Sequence, residues 1–265
     1  MKRQFFHLNA KYAEFFKARG LDNFEALWDV DAEIVDAPNL GRNGHSDVGV
    51  FSLKDPQTHI ERSFYLKRQE NYNCRTPRHP LRGIPLAMRE WLNIRHLQKG
   101  GVLTMDISCV GRDRFGGEQG RSDRALLVTR ALDEDYESME QWLDRASLSP
   151  SDRLDGIRAL GRLVGRMHST GLRHGCLYPK HIFFSRTDCQ DIRFIDLEKC
   201  KKIVSKSGGV KDLTALVRRA VDLISDDWRQ LLEAYIETSP IRWDLPILEK
   251  AVIDRIEAKK LIEHG

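Results

Sequence analysis

Hydrophobic positions near the start of the chain recur at helical spacing. Phe5, Leu8, Tyr12, Phe15 and Phe16 fall on one side, with Lys11, Glu14, Lys17 and Arg19 between them and Gly20 as a stop. The spacing predicts a helix over residues 5–19. Such a helix either packs on a lobe of the protein or, with its mixture of aromatic and basic residues, rests on a membrane surface. From Ala32 the pattern changes to strands: Glu33–Ala37 and Val48–Leu53 flank a polar loop, Pro38–Asp47, that carries Gly41 and Gly44. Phe64–Gln69 is a further strand, with Lys67 near its end. Cys74–Pro85 contains three prolines and reads as irregular. Pro85–Leu97 is helical, with Leu86, Glu90, Asn93 and Leu97 on one face. Val102–Gly111 and Arg124–Arg130 form a hairpin around the Gly-rich turn Phe115–Gly120.

The remainder is mostly helical, with helices expected over Met139–Leu143, from Pro150 to Gly171, from Lys211, around Trp228–Ile236 and from Pro246 to Leu261. The acid-rich stretch Asp133–Glu137 marks a boundary. The expected organisation is therefore an N-terminal helical extension (1–30), a strand-rich lobe (31–132) and a helical lobe (133–265).

Candidate chemistry concentrates in the second of these lobes. His174-Gly175-Cys176-Leu177-Tyr178-Pro179-Lys180-His181 is a polar loop followed by the apolar run Ile182–Phe184; a second run, Ile192–Ile195, ends in Asp196. Two short strands flanking such a loop resemble the kinase arrangement, in which H-R-D-x-x-x-x-N supplies a base and a metal ligand and a following Asp holds the metal. His174, Leu177 and Pro179 stand where that loop has them, and Asp196 stands at the metal acid. Cys176 replaces the base Asp, and His181 replaces the Asn; with His174 they are the candidate catalytic residues. Kinases also need a strand Lys held by a helix Glu so that the ammonium faces the nucleotide phosphates, and Lys67 and Glu90 have that order and those element types. Glycines such as Gly41 and Gly44 let backbone amides approach phosphate oxygens because no Cβ intervenes; an ordinary hairpin has the same composition. The proline-rich stretch carries Arg75, Arg78 and Arg82, whose forked donors suit an anionic acceptor; a solvated connecting loop is the plainer reading.

The composition narrows the class. With 265 residues, 41% hydrophobic and 31% charged, the chain is long enough for two lobes and ordinary for a soluble protein. It has no apolar run of the ~18–20 residues needed to cross a bilayer. The first residues have no sustained apolar core and no cleavage site of a secretory signal. Five scattered cysteines without a C-x-x-C pair argue against a zinc site or disulfide framework and for the cytoplasm. A net charge of +4 fits an anionic partner only weakly. The absence of an RNP-type motif or zinc-finger spacing argues against nucleic acid.

The order strand, Gly loop, strand Lys, helix Glu, H-x-x-L-x-P-x-H, I-D-L-E, with the basic R-x-P-R-H-P-L-R-G segment, resembles the bacterial lipopolysaccharide kinase family of Kdo and heptose core-sugar kinases. The His174–His181 run looks most like its InaA-type branch. The resemblance covers roughly residues 30–220 and is most specific at 174–198. It implies an α+β, protein-kinase-like bilobal fold with a β-rich N-lobe and a helical C-lobe. It also implies ATP with Mg²⁺, and phosphorylation of a sugar in the lipopolysaccharide inner core at the cytoplasmic face of the inner membrane. Carried across, the resemblance has Lys67 hold the nucleotide phosphates, Glu90 orient Lys67, and Asp196 bind the metal; His181 is a ligand or acceptor group. The family's H-[GR]-D base becomes Cys176. A thiol, with a pKa of ~8.5, is a poor substitute for a carboxylate. General-base catalysis contributes only ~10²–10⁴-fold, so both an active kinase and a nucleotide-binding pseudokinase with a regulatory or scaffolding role remain open.

Overall fold

The computed structural model describes residues 3–41, 44–55, 58–117 and 120–263. Arg42 and Asn43 of the Gly-containing loop, and Glu118 and Gln119 of the Gly-rich turn, lie outside the described residues. The fold class is α+β. The chain divides into two compact units: one runs to Leu92 and resumes over Met105–Ala131, and the other comprises Asn93–Thr104 and the chain from Leu132 onward.

The first unit contains β1 (Arg3–Leu8), α1 (Ala10–Lys17), α2 (Phe24–Trp28), β2 (Glu33–Gly41), β3 (Gly44–Lys54), β4 (Glu61–Glu70), β5 (Asn73–Thr76), β6 (His79–Pro85), the start of α3 (Leu86–Lys99), β7 (Ile107–Gly117) and β8 (Gly120–Arg130). Six strands form an antiparallel sheet in the order β1-β7-β8-β4-β3-β2. Side chains alternate between the faces of a strand. Phe64 and Leu66 of β4 therefore enter one core, where they meet Phe16, Phe24, Leu27, Leu126 and Val128. Phe16 and Phe64 pack edge to face with ring centroids 5.1 Å apart. The opposite parity, Lys67 and Gln69, points to the other face, and this alternation places the ammonium where α3 can meet it.

Two sequence expectations are corrected here. Residues 5–8 are strand rather than helix: Phe5–Leu8 pair with Arg112–Cys109 of β7. Phe5 and Leu8 fit a helical wheel, but the helix begins only after Asn9, whose side chain accepts the Lys11 N–H as an N-cap and donates to the Ile107 carbonyl at 2.9 Å. Residues 3–28 thus supply a sheet edge and core helices instead of an extension. The proline-rich segment is likewise regular, an antiparallel β5–β6 ribbon. Its prolines are tolerated because a two-stranded ribbon leaves outward N–H positions that need no partner. Gly83 sits at φ +72, where a Cβ would come within 2.7 Å of the Cys74 carbonyl oxygen.

The second unit contains β9 (Tyr136–Ser138), α4 (Met139–Asp144), α5 (Pro150–Ser169), β10 (Leu172–Arg173), β11 (Ile182–Ser185), β12 (Ile192–Phe194), β13 (Lys201–Lys202), α6 (Ser207–Val217), α7 (Ser225–Thr238) and α8 (Leu245–Glu263). Helix α5 starts on Ser149 as N-cap with Pro150 in its first turn and packs along α7 through buried Leu160, Val164, Leu231 and Tyr235. Arg153 on α5 grips Asp227 on α7 at 2.6 Å. Among the described residues no helix is long and apolar enough to cross a membrane.

Candidate active site

In the first unit, Lys67 occupies a central strand, with Val48 of β3 on one side and Leu127 of β8 on the other. Its Nζ donates to Glu90 Oε2 at 2.6 Å, and the side chains are only 17% and 4% exposed. A partly buried ion pair of this length fixes the ammonium in one orientation. Helix α3 is registered on the sheet by Gln69, which the sequence reading missed. Gln69 is wholly buried; its Oε1 accepts the Ala87 N–H at 2.7 Å, and its Nε2 donates to Ser46 at 3.1 Å. The signal was its parity, two residues from Lys67 on the same strand face.

Gly41 and Gly44 end β2 and begin β3 and face each other across the hairpin. Gly44 has a structural reason to lack a side chain: a Cβ would collide with the Glu70 carbonyl and the Asn71 backbone. Among the described residues Gly41 has no such neighbour closer than 3.7 Å. Arg75, Arg78 and Arg82 are exposed on the β5–β6 ribbon beside Leu81, which is 86% exposed.

In the second unit, the loop His174–His181 lies between β10 and β11, and Asp196 lies between β12 and β13. Strand β10 pairs with β13 and β11 with β12, so two short ladders hold the two loops side by side. Cross-links complete the arrangement: Ile195 N–H donates to the His181 carbonyl at 3.0 Å, and Asn93 Nδ2 donates to the Leu197 carbonyl at 2.8 Å. Asp196 adopts the left-handed conformation (φ 55, ψ 53). Non-glycine residues seldom hold that geometry, though Asp tolerates it better than most, and such backbones cluster at functional sites.

His181 connects the loops through both nitrogens. Nδ1 lies 2.9 Å from the Cys176 carbonyl oxygen, which can only accept, so Nδ1 carries a proton. In the neutral ring, Nε2 then presents a lone pair to Asp196 Oδ2, 3.5 Å away. With Nε2 unprotonated the two atoms present electron pairs toward one point; with Nε2 protonated they form an ion pair. One nitrogen and one carboxylate suit a divalent ion that takes its other ligands from water and phosphate; imidazole favours manganese over magnesium. Among the described residues no group of three or more His, Cys, Asp or Glu forms a self-sufficient metal cage.

His174 is not placed to react. It is wholly buried, with Nε2 donating to the Ile195 carbonyl at 3.0 Å, and burial holds its pKa below the usual histidine range, so it is a positioning residue. The sequence counts it among the catalytic candidates with Cys176 and His181; of the three it is the one wholly buried. Asp212 of α6 was missed altogether. Its carboxylate accepts the backbone N–H of His174 at 2.6 Å and of Gly175 at 3.0 Å, while His168 Nε2 approaches at 3.3 Å. Burial would raise the Asp212 pKa, but the His168 hydrogen bond, the His168 and His174 charges and the Gly175 N–H together hold it below the ordinary carboxylate value. The available signal was its place on the buried stripe Gly209, Asp212, Leu213, Leu216. Cys176 is half-buried, a free thiol beside the Tyr178 hydroxyl. Burial, and then Cys176 itself, push the Tyr178 pKa up. The Arg219 guanidinium lies 3.9 Å from the centre of the Tyr178 ring.

Comparisons with known proteins show the family and the fold. The model of the lipopolysaccharide kinase (Kdo/WaaP) family matches residues 25–235. Protein InaA of Escherichia coli K12 is 28% identical over 218 residues, covering 81% of this chain and 95% of that protein. The lipopolysaccharide core heptose(I) kinase WaaP of Pseudomonas aeruginosa is 32% identical over 164 residues, 57% of this chain and 58% of its own length. A solved structure of WaaP in complex with acyl carrier protein superposes with a TM-score of 0.68 at 22% identity, covering 96% of this chain and 97% of the other, and shows the kinase-like fold. The chain belongs to the lipopolysaccharide kinase (Kdo/WaaP) family.

Proposed function

We propose that the chain is an ATP-dependent phosphotransferase acting on a sugar of the lipopolysaccharide inner core, at the cytoplasmic face of the inner membrane. The observation that carries this reading is the Lys67–Glu90 pair, a strand ammonium held at 2.6 Å by a buried helix carboxylate. Kinases use that arrangement to bind the α and β phosphates. In this reading Lys67 binds the nucleotide phosphates and Glu90 keeps it aimed. Asp196 and His181 hold the divalent ion, and the Gly41 backbone approaches phosphate. A magnesium or manganese ion bound there would neutralise charge on the transferring phosphoryl group. Arg75, Arg78 and Arg82 grip anionic groups of the acceptor, and Cys176 with Tyr178 borders the acceptor hydroxyl.

Cys176 at the base position favours a second reading, a nucleotide-binding pseudokinase with a regulatory role. The test measures the thermal shift with ATP, with and without Mg²⁺ or Mn²⁺, together with phosphate transfer to purified core oligosaccharide. A metal-dependent shift that Lys67→Ala and Asp196→Ala abolish, with transfer, supports the phosphotransferase. A metal-dependent shift without transfer supports the pseudokinase. No shift refutes both.

A further inference from the structure

The chain after Asp196 has a charge distribution that the phosphotransferase reading does not use. Between Lys199 and Arg219 it carries seven Lys or Arg and a single acid, Asp212, which is buried beneath the His174 loop. Lys199, Lys201, Lys202, Lys206 and Arg219 are all exposed. Among the described residues no ion pair neutralises them; the cations' one ring contact besides Arg219 on Tyr178 is Lys206 over Trp243 at 6.0 Å. In their midst Val204 is 91% exposed. The segment is anchored: β13 pairs with β10, and Ile203 N–H donates to the Gly171 carbonyl at 2.8 Å. Val204 therefore projects from an ordered support, flanked by lysines on both sides.

We propose that Lys199–Lys206 is a docking surface for an anionic phospholipid bilayer, with Val204 entering the interface and Lys201, Lys202 and Lys206 meeting lipid phosphates. Charge complementarity supplies the attraction, about fivefold in partition for each lysine near an anionic surface. The apolar tip decides between partners. A soluble polyanion such as RNA gains nothing from a valine held out in water, whereas a bilayer buries it, worth roughly tenfold. The strip begins beside Tyr178, on which Lys199 and Arg219 exert their charge. Docking through it would bring a membrane-held acceptor next to Cys176. The docking itself does not rest on the phosphotransferase reading, since it is measured without nucleotide or acceptor.

The experiment is co-sedimentation of the full chain with vesicles of phosphatidylcholine alone or mixed with phosphatidylglycerol, at low and high salt. The wild type is expected to bind only the mixed vesicles, and to be released by salt. Combined Lys201→Gln, Lys202→Gln and Lys206→Gln substitution should lower partition about a hundredfold, and Val204→Ser about tenfold. All four side chains are exposed or nearly so, and unchanged thermal midpoints verify the fold. The control variant Arg75→Gln, Arg78→Gln, Arg82→Gln should keep its partition. Equal binding to both vesicle types overturns the proposal, as does full binding by the triple lysine variant. Loss of binding in the arginine variant alone assigns docking to the β5–β6 ribbon and also overturns it. Unchanged partition of Val204→Ser overturns it in favour of a polyanion site, which competition by RNA would then identify.

Discussion

Replacing Asp212 by Asn tests how the reactive loop is held, independently of any substrate. The substitution is nearly isosteric, but it exchanges one acceptor oxygen for an NH₂ group and removes a buried charge. In the wild type, Oδ2 accepts the His174 N–H at 2.6 Å and faces His168 Nε2 at 3.3 Å, while Oδ1 accepts the Gly175 N–H at 3.0 Å. An amide can serve only one of the two backbone donors; the other N–H is left buried opposite a second donor. A hydrogen bond to a charged group contributes about 1.5–3 kcal/mol, and an orphaned buried donor costs about 1–3 kcal/mol. Part of this is relieved by loop adjustment, so the expected net loss is about 2–4 kcal/mol. At 1.4 kcal/mol per factor of ten, amide exchange at His174 and Gly175 should accelerate about 30- to 1000-fold, while α5 amides distant from the loop keep their protection. The folded-state pKa of Asp212 is depressed, so its stabilisation is present above the unfolded value of ~3.9 and is lost as pH falls through the folded value. The pKa of His174 is also depressed. Its contribution is complete above ~6.5 and declines as pH falls below that. Asp212→Asn should erase the lower of these two acid-side losses and deepen the upper one, since the Asp212 charge holds the His174 pKa up. Unchanged exchange at His174 and Gly175, or an unaltered acid profile, would refute the assignment of Asp212 as the anchor.

Gly44→Ala should destabilise the first unit by about 1–3 kcal/mol, read as a lower denaturation midpoint, because its Cβ meets fixed backbone of Glu70 and Asn71. Gly41→Ala should leave stability within about 0.5 kcal/mol but weaken ATP binding measured by calorimetry, if backbone there approaches phosphate. Glu90→Gln should lower ATP affinity and cost about 1–3 kcal/mol of stability, since it exchanges the carboxylate that holds Lys67 for a neutral amide. Cys176→Asp is expected to raise turnover on core oligosaccharide by up to ~10²-fold, within the range of general-base effects. A fall in turnover would mean that the thiol is fitted to its task.

The legibility of this protein follows from where each signal resides. The Lys67–Glu90 pair could be read because strand parity and helix spacing are local, and each partner sits on a strongly patterned element. Asp196 and His181 could be read because a polar loop between two short apolar runs has few alternatives. Residues 5–8 were misread because a strand at the sheet edge obtains its partner, β7, a hundred residues away, and nothing local distinguishes Phe5 and Leu8 on a strand from the same pair on a helix. The proline-rich ribbon was misread because prolines exclude only inward-bonded strand positions, and a two-stranded ribbon has outward ones. Asp212 and Gln69 escaped for a third reason. Each is a polar residue buried on an apolar face, and its value lies in backbone donors that belong to other elements, His174 and Gly175 for one and Ala87 for the other. Charged side chains on strongly patterned elements announce themselves by type. Those that hold the backbone of other elements, as Asp212 and Gln69 do, are recognisable only as polar exceptions in a buried stripe.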